Sequence, residues 1–386
     1  MINISQPNLG AEELEAVREV FAGNWLGYGP RTKRFEAEFA EYLDVEPERL
    51  IFINSATSGL FLAMELLDLG PGDDVLLPSV SFIAAANAIA STGARPVFCD
   101  VDPHTLNPSV ADIERALTKR TRAVLVLHYG GHPGDLVNIA AFCRERGLPL
   151  IEDVAVSIAS AVDGQRVGTF GDIATWSFDS RKVITTGDGG MLYVRDPELG
   201  YRAQRLAYHG VDDRSAFTTA SKVAHRWWEL SIHDVGRRLI GNDMTAAIGS
   251  VQLRRLPGFV EWRRAISETY DRLLGDVEGI RLPPRLPAGH ESTHYFYWIQ
   301  LDPAIRDQVA EDLLERGIYT TFRYEPLHTV PLFQSDAVLP GTAQASAATL
   351  LLPIHQGLDD AEVRTVAGEL CKAVEHRRSA VRGALS

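Results

Sequence analysis

Along the first 150 residues, apolar positions fall into two alternating patterns. Short continuous runs occur at Leu50-Ile51-Phe52-Ile53, Asp74-Val75-Leu76-Leu77, Pro96-Val97-Phe98, Ala123-Val124-Leu125-Val126-Leu127 and Leu148-Pro149-Leu150-Ile151, with helically spaced stretches from about Glu12 onward lying between them. Strands of this kind, separated by helices, predict a parallel sheet buried on both faces. Past Asp153 the rhythm shortens to two strands, Ile173 to Phe178 and Gly190 to Val194, joined by a Gly-rich loop. A long helix from about Met244 to Leu274 follows, and the cluster Leu282-Pro283-Pro284-Arg285-Leu286-Pro287 cannot continue it. Beyond that connector the pattern predicts a strand at Tyr295 to Leu301, a helix at Ala304 to Arg316, a strand at Tyr319 to Tyr324 and a last helix at Asp360 to His376. The expected architecture is a large α/β domain over 1–250 and a small α+β domain over 251–386.

Composition narrows the function classes. No apolar run approaches the ~18 residues that span a bilayer. The start, Met1-Ile2-Asn3-Ile4-Ser5-Gln6-Pro7, lacks the basic and then apolar regions of a signal peptide. A soluble, cytoplasmic protein without membrane contact is expected. With 38 basic against 51 acidic residues the net charge is −13, and no block of like charges forms a basic stripe, which argues against nucleic-acid binding. Cys99, Cys143 and Cys371 lie far apart, so neither a disulfide framework nor a metal site is expected.

In open parallel sheets, ligands sit beyond the carboxyl ends of the strands, and that rule selects the polar residues that matter. Asn54-Ser55-Ala56-Thr57-Ser58-Gly59 follows the first strand and opens a helix. A small-residue turn there leaves backbone N–H groups at the positive end of the helix dipole, able to hold a phosphate, although Ser55 or Thr57 could equally serve as a simple N-cap. Glu152-Asp153 puts a carboxylate at another strand end. After Ser177-Phe178 comes Lys182 and then Thr185-Thr186-Gly187-Asp188-Gly189-Gly190. The chain has only five lysines beside 33 arginines, which draws attention to one kept in a Gly-rich loop, although a solvated surface lysine would look the same. A phosphate cradle, an Asp and a Lys are the three anchors that pyridoxal phosphate (PLP) requires: the Lys binds the aldehyde as a Schiff base, the Asp keeps the ring nitrogen protonated, and the helix N-terminus holds the phosphate.

With these motifs in order, the chain resembles the PLP-dependent sugar-nucleotide aminotransferases of the DegT/StrS type, which have the fold-type I aminotransferase architecture. The resemblance begins with Gly27-Tyr28-Gly29-Pro30 before Phe35-Glu36, then the Asn54 to Leu60 turn, Pro78-Ser79-Val80-Ser81-Phe82 and the Asp100 to Asn107 segment. His128-Tyr129-Gly130-Gly131, Glu152-Asp153, and Ser177-Phe178 with Lys182 and Gly187-Asp188-Gly189-Gly190 follow. Ala246-Ala247-Ile248-Gly249 with Gln252-Leu253, then Tyr324-Glu325-Pro326-Leu327-His328 and Leu352-Pro353-Ile354, extend it over nearly the whole chain.

The resemblance implies that Lys182 is the Schiff-base lysine and Asp153 the partner of the ring nitrogen. Thr57, Ser58 and Ser177 would bind the phosphate, and Phe82 would stack on the cofactor ring. Two positions depart from the family's pattern. Val156 stands where Gln or His usually approaches the cofactor's phenolic oxygen, so either that hydrogen bond is missing or another group, such as Ser157, supplies it. Arg238 stands where many relatives place an Asn that reaches the phosphate of the neighbouring subunit; the Arg could make the same phosphate contact bidentately, or it could be a solvated charge on a loop. A homodimer with shared active sites is implied, completed by Arg237 to Asn242, with the pair Trp227-Trp228 as a candidate interface anchor or, equally, a buried core pair. Arg323, Tyr324 and His328 are candidates to face the sugar or its diphosphate, or else form a surface loop with one buried Tyr.

The implied reaction moves an amino group from L-glutamate to a nucleotide-linked keto-deoxysugar in amino sugar biosynthesis. Only Val183-Ile184-Thr185-Thr186 separate Lys182 from the glycine-rich turn. In the family so short a loop goes with amination at C4, here of a 4-keto-6-deoxyhexose, rather than at C3. Two rivals remain open: a sugar dehydratase of the same fold, which carries His in place of the lysine, and a non-catalytic PLP-binding regulatory protein.

Overall fold

The computed structural model describes residues 1–212, 228 and 230–385. Its centre is a seven-stranded sheet built from β1 (Leu50–Ile53), β2 (Asp74–Pro78), β3 (Arg95–Cys99), β4 (Thr121–Leu127), β5 (Leu150–Asp153), β8 (Ile173–Ser177) and β9 (Gly190–Val194), in the order β1-β9-β8-β5-β4-β2-β3. Two-residue strands β6 (Ala161–Val162), β7 (Gln165–Arg166) and β10 (His290–Glu291) form a small separate sheet. Six strands of the main sheet point one way. β9 alone runs against its neighbours β1 and β8, because it returns directly from β8 through the Lys182 loop rather than through a crossover helix.

Helices α1 (Ala11–Ala22), α2 (Pro30–Leu43), α3 (Ala56–Leu66), α4 (Ile83–Ser91), α5 (Val110–Ala116), α6 (Leu136–Glu145) and α7 (Pro197–Ala207) belong to this layer. Two apolar clusters, one on each face, bury all but the ends of most strands, which is why the strands read as apolar runs. The run begun at Leu148 enters the sheet only at Leu150, since the Leu148 N–H is taken by the Cys143 carbonyl at the end of α6.

From Asn242, whose side chain caps its N-terminus, α8 (Asp243–Leu274) runs 32 residues. Ala246, Leu253, Leu256 and Phe259 pack into the cluster on one face of the main sheet; Ile266, Tyr270 and Leu274 enter a third cluster with β11 (Tyr297–Gln300), α9 (Pro303–Glu315), β12 (Thr349–Leu352) and α11 (Asp360–Leu385), while α10 (Pro340–Ala348) leads into β12. The strand expected at Tyr319 to Tyr324 does not form. β11 pairs with Thr349–Leu352 instead, and the 318–324 segment makes only single bridges, Ile318 to Ile2 and Thr321 to Leu351. Its backbone is then drawn away, because the Tyr129 hydroxyl of the large layer donates to the Arg323 carbonyl.

Candidate active site

The turn after β1 is shaped by close packing. Ser55 Oγ accepts the Ser58 N–H at 3.1 Å, and Ser58 Oγ donates to Asn54 Oδ1 at 2.7 Å. Ser55 is therefore the N-cap of α3, and the N–H groups of Ala56 and Thr57 have no acceptor among the described residues. Thr57 is exposed and Ser58 half-buried. β9 passes directly beneath: a Cβ on Gly190 would lie 2.6 Å from the Ala56 nitrogen. The expected capping is present, and because one side chain satisfies only one N–H it leaves two open, as a phosphate cradle would require.

At the end of β5 the two adjacent carboxylates differ in how far they are satisfied. Glu152 is buried and accepts the N–H groups of Gly168, Phe170 and Gly171 at 2.7, 2.9 and 2.6 Å, with His128 Nε2 at 3.1 Å. Asp153, on the opposite face of the sheet, accepts a single hydrogen bond among the described residues, from the Ala155 N–H at 3.0 Å, although it too is buried. Burial raises its pKa, against the Ala155 bond and the positive charge of Lys182. A buried carboxylate so poorly bonded suits a cationic ring nitrogen.

Lys182 lies in the loop that follows β8. The Thr186 N–H donates to the Phe178 carbonyl at 2.9 Å, and Thr185 Oγ1 donates to the same carbonyl at 3.1 Å. Gly187, at φ +88°, turns the chain into β9. The Lys182 ammonium sits 5.2 Å from the centre of the Tyr295 ring. Ser177, at the strand end, is half-buried.

An aromatic wall stands over these groups. Phe82, the N-cap residue of α4, remains 48% exposed, and its ring packs 5.6 Å from Tyr324. Tyr324 in turn touches Phe296, which packs on Tyr129 and Tyr295. Burial, with the neighbouring Tyr295 and Asp153, raises the Tyr324 pKa. His328 is tied to the end of β2: its Nδ1 and Ser79 Oγ are 2.7 Å apart, and its N–H donates to that hydroxyl at 3.1 Å. Burial lowers the His328 pKa. Arg323 is half-buried and its side chain has no ion-pair partner among the described residues. The Tyr324 to His328 segment is thus anchored at the strand ends rather than free on the surface.

Val156 is buried in the large core, while the Ser157 hydroxyl is buried without a partner among the described residues. That orphan is what a substitute donor would leave. Arg238 is exposed, with its guanidinium 5.5 Å from the Tyr208 ring and no ion-pair partner among the described residues. Its segment lies beside the turn after β1, with the Asn54 N–H donating to the Leu239 carbonyl at 2.7 Å. Trp227 falls outside the described residues, and Trp228 is exposed.

Sequence reading gave no role to Tyr129, Tyr295, Phe296 or Gln252. Two of them stand inside quoted motifs, but only the folded chain puts them here. Gln252 Oε1 accepts the Thr185 N–H at 3.2 Å while its Nε2 donates to Glu13 Oε1 at 2.8 Å, bracing the lysine loop against α8 and α1. The open N–H groups on α3, the under-bonded Asp153, the Ser157 orphan and Lys182 fit PLP's phosphate, ring nitrogen, phenolic oxygen and aldehyde.

Comparison with known proteins agrees. The model of the DegT/DnrJ/EryC1/StrS aminotransferase family matches residues 7–371. The dTDP-4-dehydro-2,3,6-trideoxy-D-glucose 4-aminotransferase of Saccharopolyspora spinosa is 64% identical over 379 residues, 98% of each chain. The crystal structure of the aminotransferase TlmJ from Streptoalloteichus hindustanus is similar with a TM-score of 0.93 at 56% identity, covering 97% of this chain and 99% of that one. Spr1654 from Streptococcus pneumoniae, solved in PLP and PMP forms, shares the fold with TM-scores of 0.88 and 0.90 at 24% identity, covering 97% and 98% of this chain and 99% and 100% of those chains.

Proposed function

The chain belongs to the DegT/DnrJ/EryC1/StrS aminotransferase family, whose members are PLP-dependent, and from that premise we propose that it moves the amino group of L-glutamate to C4 of a dTDP-linked 4-keto-deoxyhexose. The observation that carries the reading is the 64% identity, over 98% of both chains, to a 4-aminotransferase named for a sugar that lacks oxygens at C2, C3 and C6. It agrees with the C4 expectation from the short Val183 to Thr186 loop and narrows the sugar to one with fewer hydroxyls.

When bound, PLP supplies the carbonyl that takes up the amine and a ring that accepts electrons. The chain does the rest. Asp153, held ionised by a cationic ring nitrogen, keeps that nitrogen protonated. The N–H groups of Ala56 and Thr57, with the hydroxyls of Thr57, Ser58 and Ser177, hold the phosphate, and Ser157 donates in place of the residue that Val156 lacks. Phe82 covers one ring face. Lys182 Nζ takes the proton from the donor's α-carbon and returns one at C4 of the acceptor. Arg323, Tyr324 and His328 face the sugar and its diphosphate.

The active unit is a homodimer. On α1 and the turn after it, Leu14, Phe21 and Trp25, spaced i, i+7 and i+11, expose a stripe of 72%, 60% and 56%. Leu230, Ile232 and Val235 are exposed just before Arg238. A second copy covering these residues would carry Arg238 to the neighbouring phosphate, where its guanidinium binds bidentately. No helix among the described residues is long and apolar enough to cross a membrane, which supports a cytoplasmic site where nucleotide sugars and glutamate are available.

Incubation with glutamate and matched dTDP-linked 4-keto and 3-keto sugars, followed by mass spectrometry, tests the reading. Preferential amination of the 3-keto sugar refutes it. A dehydratase would carry His at position 182, and a regulatory PLP-binding protein would show no glutamate-dependent change in cofactor absorbance.

A further inference from the structure

Arg263, midway along α8, is 3% exposed and has no carboxylate partner among the described residues. Burial without a counter-ion pulls its pKa down to about 10. A buried cation without a counter-ion is costly unless its donors are satisfied. Its donors meet three neutral acceptors: Nε donates to the His294 carbonyl at 2.9 Å, Nη2 to the Tyr295 carbonyl at 2.7 Å and Nη1 to Gln356 Oε1 at 2.8 Å.

Two of those acceptors lead to the lysine loop. Gln356 Nε2 donates to the Val183 carbonyl at 2.6 Å. The Tyr295 hydroxyl donates to the Arg181 carbonyl at 3.3 Å, and the Tyr295 ring lies 5.2 Å from the Lys182 ammonium and 5.7 Å from the Arg263 guanidinium carbon. Arg181 and Val183 flank Lys182 in the chain. A single planar fork therefore braces the backbone on both sides of one residue. Its rigid geometry, which an ammonium or an apolar side chain lacks, suits it to fix two struts at once. The amide of Gln356 has one consistent orientation here, with oxygen to the guanidinium and nitrogen to the carbonyl.

We infer that Arg263 is a positioning residue for Lys182, holding the lysine at its reacting position through Tyr295 on one side and Gln356 on the other. The inference rests on the proposed reading of Lys182 as the reactive lysine.

Gln356→Glu separates positioning from stability because the two roles give opposite signs. The carboxylate supplies the counter-ion that Arg263 lacks, so stability is kept or raised. It also sets an oxygen against the Val183 carbonyl, so the strut is lost. The holoenzyme variant should keep a Tm at or above the wild-type value, lose at least tenfold in kcat and hold its KM for glutamate within threefold. In cofactor-free protein, the rate at which Lys182 is trapped by PLP and borohydride, read by peptide mass spectrometry, should fall by a comparable factor. Arg263→Met, which removes both struts, should lose more of both; if it does not fold, Gln356→Glu decides alone. A Gln356→Glu protein whose kcat and trapping rate stay within twofold of wild type overturns the inference. Trapping at a different lysine, or turnover by Lys182→Ala, instead overturns the reading of Lys182 itself.

Discussion

In the proposed reading two side chains, Lys182 and Asp153, carry most of the chemistry, and each can be tested alone. Lys182→Ala should abolish turnover while circular dichroism and Tm stay near wild type, since the side chain is half-buried and its loop is held by the Thr185 hydroxyl and the Thr186 N–H, both donating to the Phe178 carbonyl. An active variant would refute its role. Asp153→Asn keeps the shape but cannot hold a ring nitrogen protonated, and should lose at least about two tenfold steps in kcat, ~2.7 kcal/mol of barrier. The same substitution has a second signature without cofactor. Burial raises the Asp153 pKa, so the stabilising contribution of its neutral form is fully present below the ordinary carboxylate value of ~3.9 and is lost as pH rises through the raised value. The Tm of cofactor-free wild type should therefore fall over that window relative to Asp153→Asn, and parallel Tm curves would contradict the assignment. Glu152 and Asp153 look alike in the sequence; only the hydrogen bonds around them separate a saturated carboxylate from an available one.

Among the elements, the β1–α3 turn and β9 depend on each other. Gly190→Ala would set a methyl 2.6 Å from the Ala56 nitrogen, and one of the two backbones must move. PLP affinity should drop at least tenfold in an absorbance titration, with a Tm several degrees lower. Gly368→Ala is the control: it lies inside α11 with nothing within 4 Å of the added Cβ, and should be neutral or stabilising by up to about 1 kcal/mol. If both variants bind PLP equally well, the cradle does not depend on this contact. The segment 319–324 teaches the opposite lesson about elements. Its β-branched and aromatic residues read as a strand, yet its hydrogen bonds go elsewhere, because strand propensity says nothing about which neighbour offers an edge.

For the whole molecule, the exposed stripe of Leu14, Phe21 and Trp25 is the strongest sign of a second copy. Phe21→Glu puts a charge at its middle and should shift the protein toward monomer in sedimentation, with activity falling in parallel if Arg238 completes the partner's site. A wild-type protein that is an active monomer at micromolar concentration would refute the shared-site reading.

The strands β1 to β5, β8 and β9, the long helix from Met244 and the Lys182 loop were legible from the chain alone, because a strand buried on both faces or an amphipathic helix imposes its own local pattern of apolar residues. Asp153 and Lys182 were legible as strand-end residues for the same reason. The antiparallel course of β9, the partnering of β11 with β12, the difference between Glu152 and Asp153, and the convergence of Tyr129, Tyr295, Gln252, Arg263 and Gln356 around the site belong to the tertiary structure. These features rest on contacts between residues tens to hundreds of positions apart, and a side chain's local sequence carries no record of the partner that will satisfy it.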